Sequence, residues 1–202
     1  MKPAPLLAIV RGERIDTVSA KGGRSYVQVR GLLHYVAYGH YAEQLGQAPQ
    51  QRGAWLDQAG RPHTHEAVQE WARAKVHRFE YDHAYQLLLS TRDGGLPAAA
   101  FNKTLQQGSD ISHVREWRFM VHDDTDYQHA HAILFSHEKL APARYKEWQQ
   151  TMQAELGHLQ AERQTTLAQQ TDLTRQVEPE TEPSPERALE QTQNQGWDLA
   201  YD

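Results

Sequence analysis

The chain has 202 residues and a formal net charge of −5, long enough for one domain with a sizeable core plus a tail. It holds no cysteine, which excludes disulfides, thiolate metal sites and a cysteine nucleophile, so any metal ligand is His, Asp or Glu. No apolar run approaches ~18 residues, so no membrane span is expected. The charge is uneven. Residues 177–202 carry seven acidic residues against Arg187, a net of −6, which leaves +1 for residues 1–176. Within residues 1–31, Lys2, Arg11, Arg14, Lys21, Arg24 and Arg30 face only Glu13 and Asp16, a local +4. Such a patch suits a polyanionic partner, the alternative being a solvated basic arm.

Residues 1–19 form a basic, partly apolar lead-in with an edge strand at Leu6–Val10. The start imitates a signal peptide poorly: its apolar stretch is short and broken by Pro3 and Pro5, so a cytoplasmic protein is expected. Gly22-Gly23 marks a turn, and the alternation in Ser25–Arg30 predicts a strand. A helix begins after Gly31 and carries Leu32, Leu33, Tyr35, Val36 and Tyr38. Residues 46–63, rich in Gly, Gln and Pro, are a loop that holds Trp55; like Trp71 and Trp117 it is more often a core residue than a stacking platform, though of the three it is the best candidate to stack on a base. Thr64 N-caps a helix from Glu66 to His77 with Val68, Trp71, Ala72 and Val76 on one face.

The apolar run ending in Tyr85-Gln86-Leu87-Leu88-Leu89-Ser90 is a central strand. Asp93-Gly94-Gly95 is a turn, Pro97 opens a helix through Leu105, and Gly108–Ser112 is a loop. From Pro142, apolar residues at Tyr145, Trp148, Met152, Leu156 and Leu159 recur every three or four positions, predicting a helix to about residue 176. Its second half is either a single solvated helix or a coiled-coil stub, and the Pro- and Glu-rich residues 177–202 are expected to be disordered. Together these elements predict an α+β fold: a central antiparallel sheet flanked by helices, a long C-terminal helix and an acidic tail.

The chemistry is concentrated in His122-Asp123-Asp124-Thr125-Asp126-Tyr127-Gln128-His129-Ala130-His131. An apolar run precedes it, Trp117–Val121, and another follows, Ala132–Phe135, so the stretch is a strand pair around a polar turn. On a strand, residues i and i+2 share a face, which sets His129 beside His131. His122 closes the first strand and can fold over the same face. Three converging imidazoles are the donor set of a catalytic metal site with an open position, and the aspartates are placed to accept from the ring N–H groups. The alternative, ordinary turn histidines, does not explain three of them at this spacing.

These residues resemble a known family. His129-Ala130-His131 is similar to the His-hydrophobic-His core of the HUH endonucleases, with Ala130 a small version of the usual hydrophobic residue. The longer string, His122 then Asp124-Thr125-Asp126 then His129-Ala130-His131, resembles the third motif of VirD2-like (MOBP-type) conjugative relaxases. The resemblance covers residues 20–140 and implies a nicking domain over 1–140, a helical extension over 141–176 and a tail over 177–202. It implies a relaxase that nicks one DNA strand at an origin of transfer, for mobilization of a plasmid or integrative element. In that reaction a tyrosine attacks the scissile phosphate and keeps a 5′-phosphotyrosyl link.

Leu32-Leu33-His34-Tyr35-Val36 resembles the family's first motif, which makes Tyr35 the first choice of nucleophile and Tyr38 the second; each is otherwise an aromatic of an amphipathic helix. Leu88-Leu89-Ser90-Thr91-Arg92 resembles the second motif, so Ser90 and Arg92 are expected to bind DNA phosphates, with Arg24 and Arg30 adding charge. By the same resemblance Asp124 and Asp126 orient the ligand histidines or accept the tyrosine proton, and His122, His129 and His131 hold the metal. Three imidazoles favour Zn²⁺, Cu or Mn²⁺, the family implies Mg²⁺ or Mn²⁺, and Mn²⁺ satisfies both. The implied partners are single-stranded DNA at a nick site and relaxosome accessory or coupling proteins. Other readings are a rolling-circle replication initiator or another HUH nickase, a metal-dependent hydrolase that does not nick, and a DNA-binding remnant.

Overall fold

The structure, a computed structural model, describes residues 8–18, 22–39, 50–78, 81–92, 95–112, 114, 116–125 and 127–177. The expected disorder of residues 178–202, the Asp93-Gly94 half of the predicted turn and the site residue Asp126 lie outside them. The chain divides into two compact units, Met1–Arg163 and Gln164–Asp202.

The first unit is α+β. Its six strands are β1 (Ala8–Asp16), β2 (Trp55–Asp57), β3 (Pro62–His63), β4 (His83–Thr91), β5 (Trp117–His122) and β6 (His129–Ser136). They form one sheet in the order β1-β4-β6-β5-β2-β3, and every neighbouring pair is antiparallel. The helices are α1 (Val27–Tyr38), α2 (His65–His77), α3 (Ala98–Ser112) and α4 (Pro142–Val177), the last reaching into the second unit. The apolar alternation of the strands buries both faces. On one face Ile133, Phe135, Met120 and Ala84 pack with Val29, Leu33 and Val36 of α1 and Val68, Ala72 and Val76 of α2. On the other, Leu87, Leu89, Phe119, Ala132 and Leu134 pack with Phe101 and Leu105 of α3 and Trp148, Met152 and Leu156 of α4.

Three expectations change. Ser25–Arg30 is not a strand, because α1 already runs from Val27. Val29, Leu33 and Val36 fall at helical spacing and are fully buried, while Val27 is left 67 % exposed. The span 46–63 is not all loop: the short hairpin β2–β3 is pinned by the buried Asp57 carboxylate, which accepts from the Ala59 and Arg61 N–H groups and pairs with Arg61 and His63. Trp55, in β2, is fully buried and donates Nε1–H to His65 Nδ1 at 3.3 Å, so no base can stack on it. Finally, Gly108–Ser112 continues α3. Gly108 interrupts the apolar pattern because Trp148 and Met152 cross there, and a Cβ would stand 2.6 Å from Trp148 Nε1.

Candidate metal centre

The β5–β6 pair delivers the histidines. His122, the last residue of β5, lies directly across from His129, the first of β6, and His131 follows two residues on. Opposite residues of an antiparallel pair share a face, so the three rings meet on the side covered by α1. Their centroids are 5.0, 5.2 and 5.3 Å apart, and each ring offers a nitrogen within 4.8 Å of the other two. His122 is fully buried, His131 is 6 % exposed and His129 is half-buried.

The nitrogens fit a bound cation. His122 Nδ1 faces His129 Nε2 at 3.3 Å. Two imidazoles on one ion, with metal–nitrogen bonds of about 2.1 Å and a tetrahedral angle, sit about 3.4 Å apart. His129 Nδ1 approaches the Tyr127 carbonyl at 3.0 Å, an acceptor that leaves Nε2 with its lone pair toward His122. His131 Nδ1 meets the Gln86 side chain at 3.3 Å. His122 Nε2 is buried without a hydrogen bond. Burial first, then the Arg52 charge and the neighbouring His129 ring, push the His122 pKa down to about 4, against Asp124 and the Val36 carbonyl. Burial and the other two histidines push His131 down to about 3. Both rings are therefore neutral near pH 7, the form that ligates.

Tyr35 packs its ring edge-on to His131, 5.9 Å between centroids. Tyr38 is turned away, against His34 at 4.9 Å and the buried His65 at 5.0 Å. Asp124 does not bond a histidine: its two oxygens accept from Arg52 Nε and Nη2 at 2.6 and 2.7 Å. That guanidinium holds the Asp124 carboxyl below the usual range, which makes it a poor proton acceptor. Among the described residues, the ring nitrogens of His129 meet the Tyr127 carbonyl and Thr125, and Nδ1 of His131 meets the Gln86 amide.

Arg52 reaches the site from the polar loop before β2. Its backbone N–H bonds the Ala37 carbonyl at 2.8 Å, and its charge acts on His122, His131 and, in return, senses Tyr35. The next residue, Gly53, lies so close to β5 that a Cβ would stand 2.9 Å from the Val121 carbonyl oxygen, so only glycine lets the loop bring Arg52 this near. No sequence pattern marks Arg52. Gln86 had a signal, a lone amide inside an otherwise apolar central strand.

Ser90 pairs across β4–β6 with His129, and Ile9 of β1 pairs with Ser90. A second row on the same face runs His131, Leu88, Arg11. Both rows lead from the histidines to exposed residues of the edge strand. Arg92 is exposed just beyond β4. Arg24 is elsewhere: it pairs with Asp82 and donates to the Tyr81 carbonyl, at the far end of β4. Eight strand residues put that end about 25 Å from Ser90, so its charge is used to tie down the chain there. Arg30 lines a cleft with Tyr26 and with Gln69 and Arg73 of α2, and none of the three histidines lines that cleft.

The fold and the site together are an antiparallel sheet carrying a cluster of three imidazoles, with Tyr35 packed on His131 and the Arg52–Asp124 ion pair close by. No family model matches the chain, and searches of curated proteins and of solved structures return no match either. No helix among the described residues is long and apolar enough to cross a membrane.

Proposed function

We propose that this protein is a relaxase-type nickase, a tyrosine transesterase that cuts one DNA strand at an origin of transfer. The observation that carries the reading is Tyr35 set against His131, in a cluster of three histidines whose nitrogens could hold a cation. Tyr35 Oη attacks the scissile phosphorus and loses its proton as the new P–O bond forms. The bond to the 3′ oxygen breaks, and that oxygen leaves as a hydroxyl. The ester's energy is retained in the phosphotyrosine, so the strand can be resealed.

His122, His129 and His131 would hold a divalent cation, Mn²⁺ or Mg²⁺, which supplies charge against the phosphate oxygens as negative charge builds. Arg52 adds a fixed positive charge on the Tyr35 side, and Asp124 holds it there. Ser90 lies in line with His129, and with Arg92 it offers phosphate contacts to a strand laid along the open face. The two residue rows reaching Ile9 and Arg11 suit an extended, unpaired strand better than a duplex.

The test is covalent capture. The full chain is mixed with a random-sequence single-stranded DNA pool and Mn²⁺, and species surviving SDS are digested and mapped. The expected result is a nucleotide 5′-phosphate on Tyr35; Tyr35→Phe should form no adduct while binding Mn²⁺ as before. An adduct mapped to Tyr38 would replace the nucleophile. Cleaved DNA with no adduct would make the protein a metal-dependent hydrolase instead.

A further inference from the structure

The three histidines do not by themselves decide whether the centre can load. A neutral imidazole carries one proton, and the nitrogen that bears it cannot ligate. His129 is settled by the Tyr127 carbonyl, which accepts from Nδ1. His131 is not settled by a carbonyl: its Nδ1 faces the side-chain amide nitrogen of Gln86 at 3.3 Å, from the neighbouring strand β4, and an amide's nitrogen and oxygen exchange places by a half-turn. With Nδ1 turned to β4, Nε2 is the atom His131 has left for a cation shared with His122 and His129.

An amide is two-faced. With its nitrogen toward His131 it donates to Nδ1, the ring proton sits on Nε2, and the lone pair needed for a cation is gone. After a half-turn about its last bond, which changes no volume, the amide oxygen accepts Nδ1–H and Nε2 is open. Gln86 interrupts the run Ala84–Leu89, every other member of which is apolar. A polar group half-buried in a central strand is costly unless it is bonded, and the bond it makes is to a ligand histidine.

We propose that Gln86 is a positioning residue that sets the tautomer of His131 and, through it, the loading of the three-histidine centre. Its carbonyl toward His131 opens the centre to a divalent cation; its NH₂ toward His131 closes it. The proposal rests on the metal centre and is independent of whether the protein nicks DNA.

The experiment uses the full chain in three forms: wild type, Gln86→Leu, which fits the apolar run, and Gln86→Glu, which can only accept. Mn²⁺ affinity is titrated by electron paramagnetic resonance, and the His131 tautomer is read in metal-free protein from long-range ¹⁵N–¹H spectra. Gln86→Leu is expected to weaken Mn²⁺ binding about 10- to 100-fold and to give a mixed tautomer population. Gln86→Glu is expected to hold His131 as Nδ1–H and to bind Mn²⁺ at least as tightly as wild type, which a role confined to packing would not produce. Wild-type affinity in Gln86→Leu, or an unmixed tautomer there, overturns the assignment while leaving the centre standing. A wild-type protein that takes up no Mn²⁺ overturns the assignment and the centre together.

Discussion

Arg52 and Asp124 meet through two short hydrogen bonds, with side chains 20 % and 43 % exposed. Solvent screens a pair in that position, so its worth to folding is about 1 kcal/mol or less. What the pair does is place charge. Arg52→Ala is expected to slow adduct formation about 100- to 1000-fold, as loss of one preorganised donor does, while the melting temperature moves by only a few degrees. Arg52→Lys keeps the charge and loses the two-pronged grip, so it should recover only part of the rate. Single-turnover kinetics beside a thermal melt separates the two effects; wild-type rates in Arg52→Ala would remove the residue from the chemistry. The histidines make a second prediction at this scale. Folded, His122 and His131 have pKa values of about 4 and 3, whereas an unfolded histidine titrates near 6.5. Above that value neither state binds the extra protons. Below it the unfolded chain takes them and the native rings do not, so stability falls as pH drops from about 6.5 toward 3. Metal-free protein should therefore lose melting temperature steadily across that range, and His131→Gln should flatten the slope.

Elements were legible where local pattern and tertiary environment agree. The β5–β6 pair carried its histidines at i and i+2, followed by a buried apolar run, and it forms as read. Thr64 caps α2 by accepting from the Ala67 N–H at 3.2 Å, as its position before an amphipathic run required. The stretch from Val27 to Arg30 was not legible, because two valines two apart serve a strand and a helix equally well over six residues. Only packing against the sheet, which buries Val29 with Leu33 and Val36, chooses between them. Arg52 was hidden for a different reason: its partner Asp124 is 72 residues away, and no periodicity links a loop to a turn. Gly108 misled through its composition, since a glycine inside a helix usually signals an end. Its packing supplies a test. Gly108→Ala gains roughly 1 kcal/mol of helix propensity but forces a methyl against Trp148 Nε1 and the Met152 sulfur, at 2.6 and 2.8 Å. Overpacking of that kind costs about 1–3 kcal/mol, so the net change is a loss, visible as a lower denaturation midpoint with an unchanged m-value. A stabilised variant would mean that α3 and α4 are less tightly apposed than described.

For the molecule as a whole, charge and burial divide along the same line. The buried residues of α4 end at Gln160, and from Thr165 to Leu173 the helix is exposed, with Leu167 and Leu173 at 45 % and 62 %. Gln164–Asp202 holds eight acidic residues against Arg175 and Arg187, a net of −6, which leaves +1 on residues 1–163. The overall −5 that looks unsuited to DNA is therefore carried outside the unit that bears the three-histidine cluster. Since Thr165–Leu173 are exposed, a chain ending at Arg163 is expected to keep a melting temperature within a few degrees of the full chain. Like charge on the removed segment opposes binding to a polyanion, and salt screens that opposition within a Debye length of about 10 Å at 0.1 M. The truncated protein is therefore expected to bind single-stranded DNA several-fold more tightly than the full chain at low salt, with the gap closing as salt rises. Fluorescence anisotropy across a salt series measures this directly. A gap that persists at high salt would mean that the acidic segment acts through a specific contact and not through its charge.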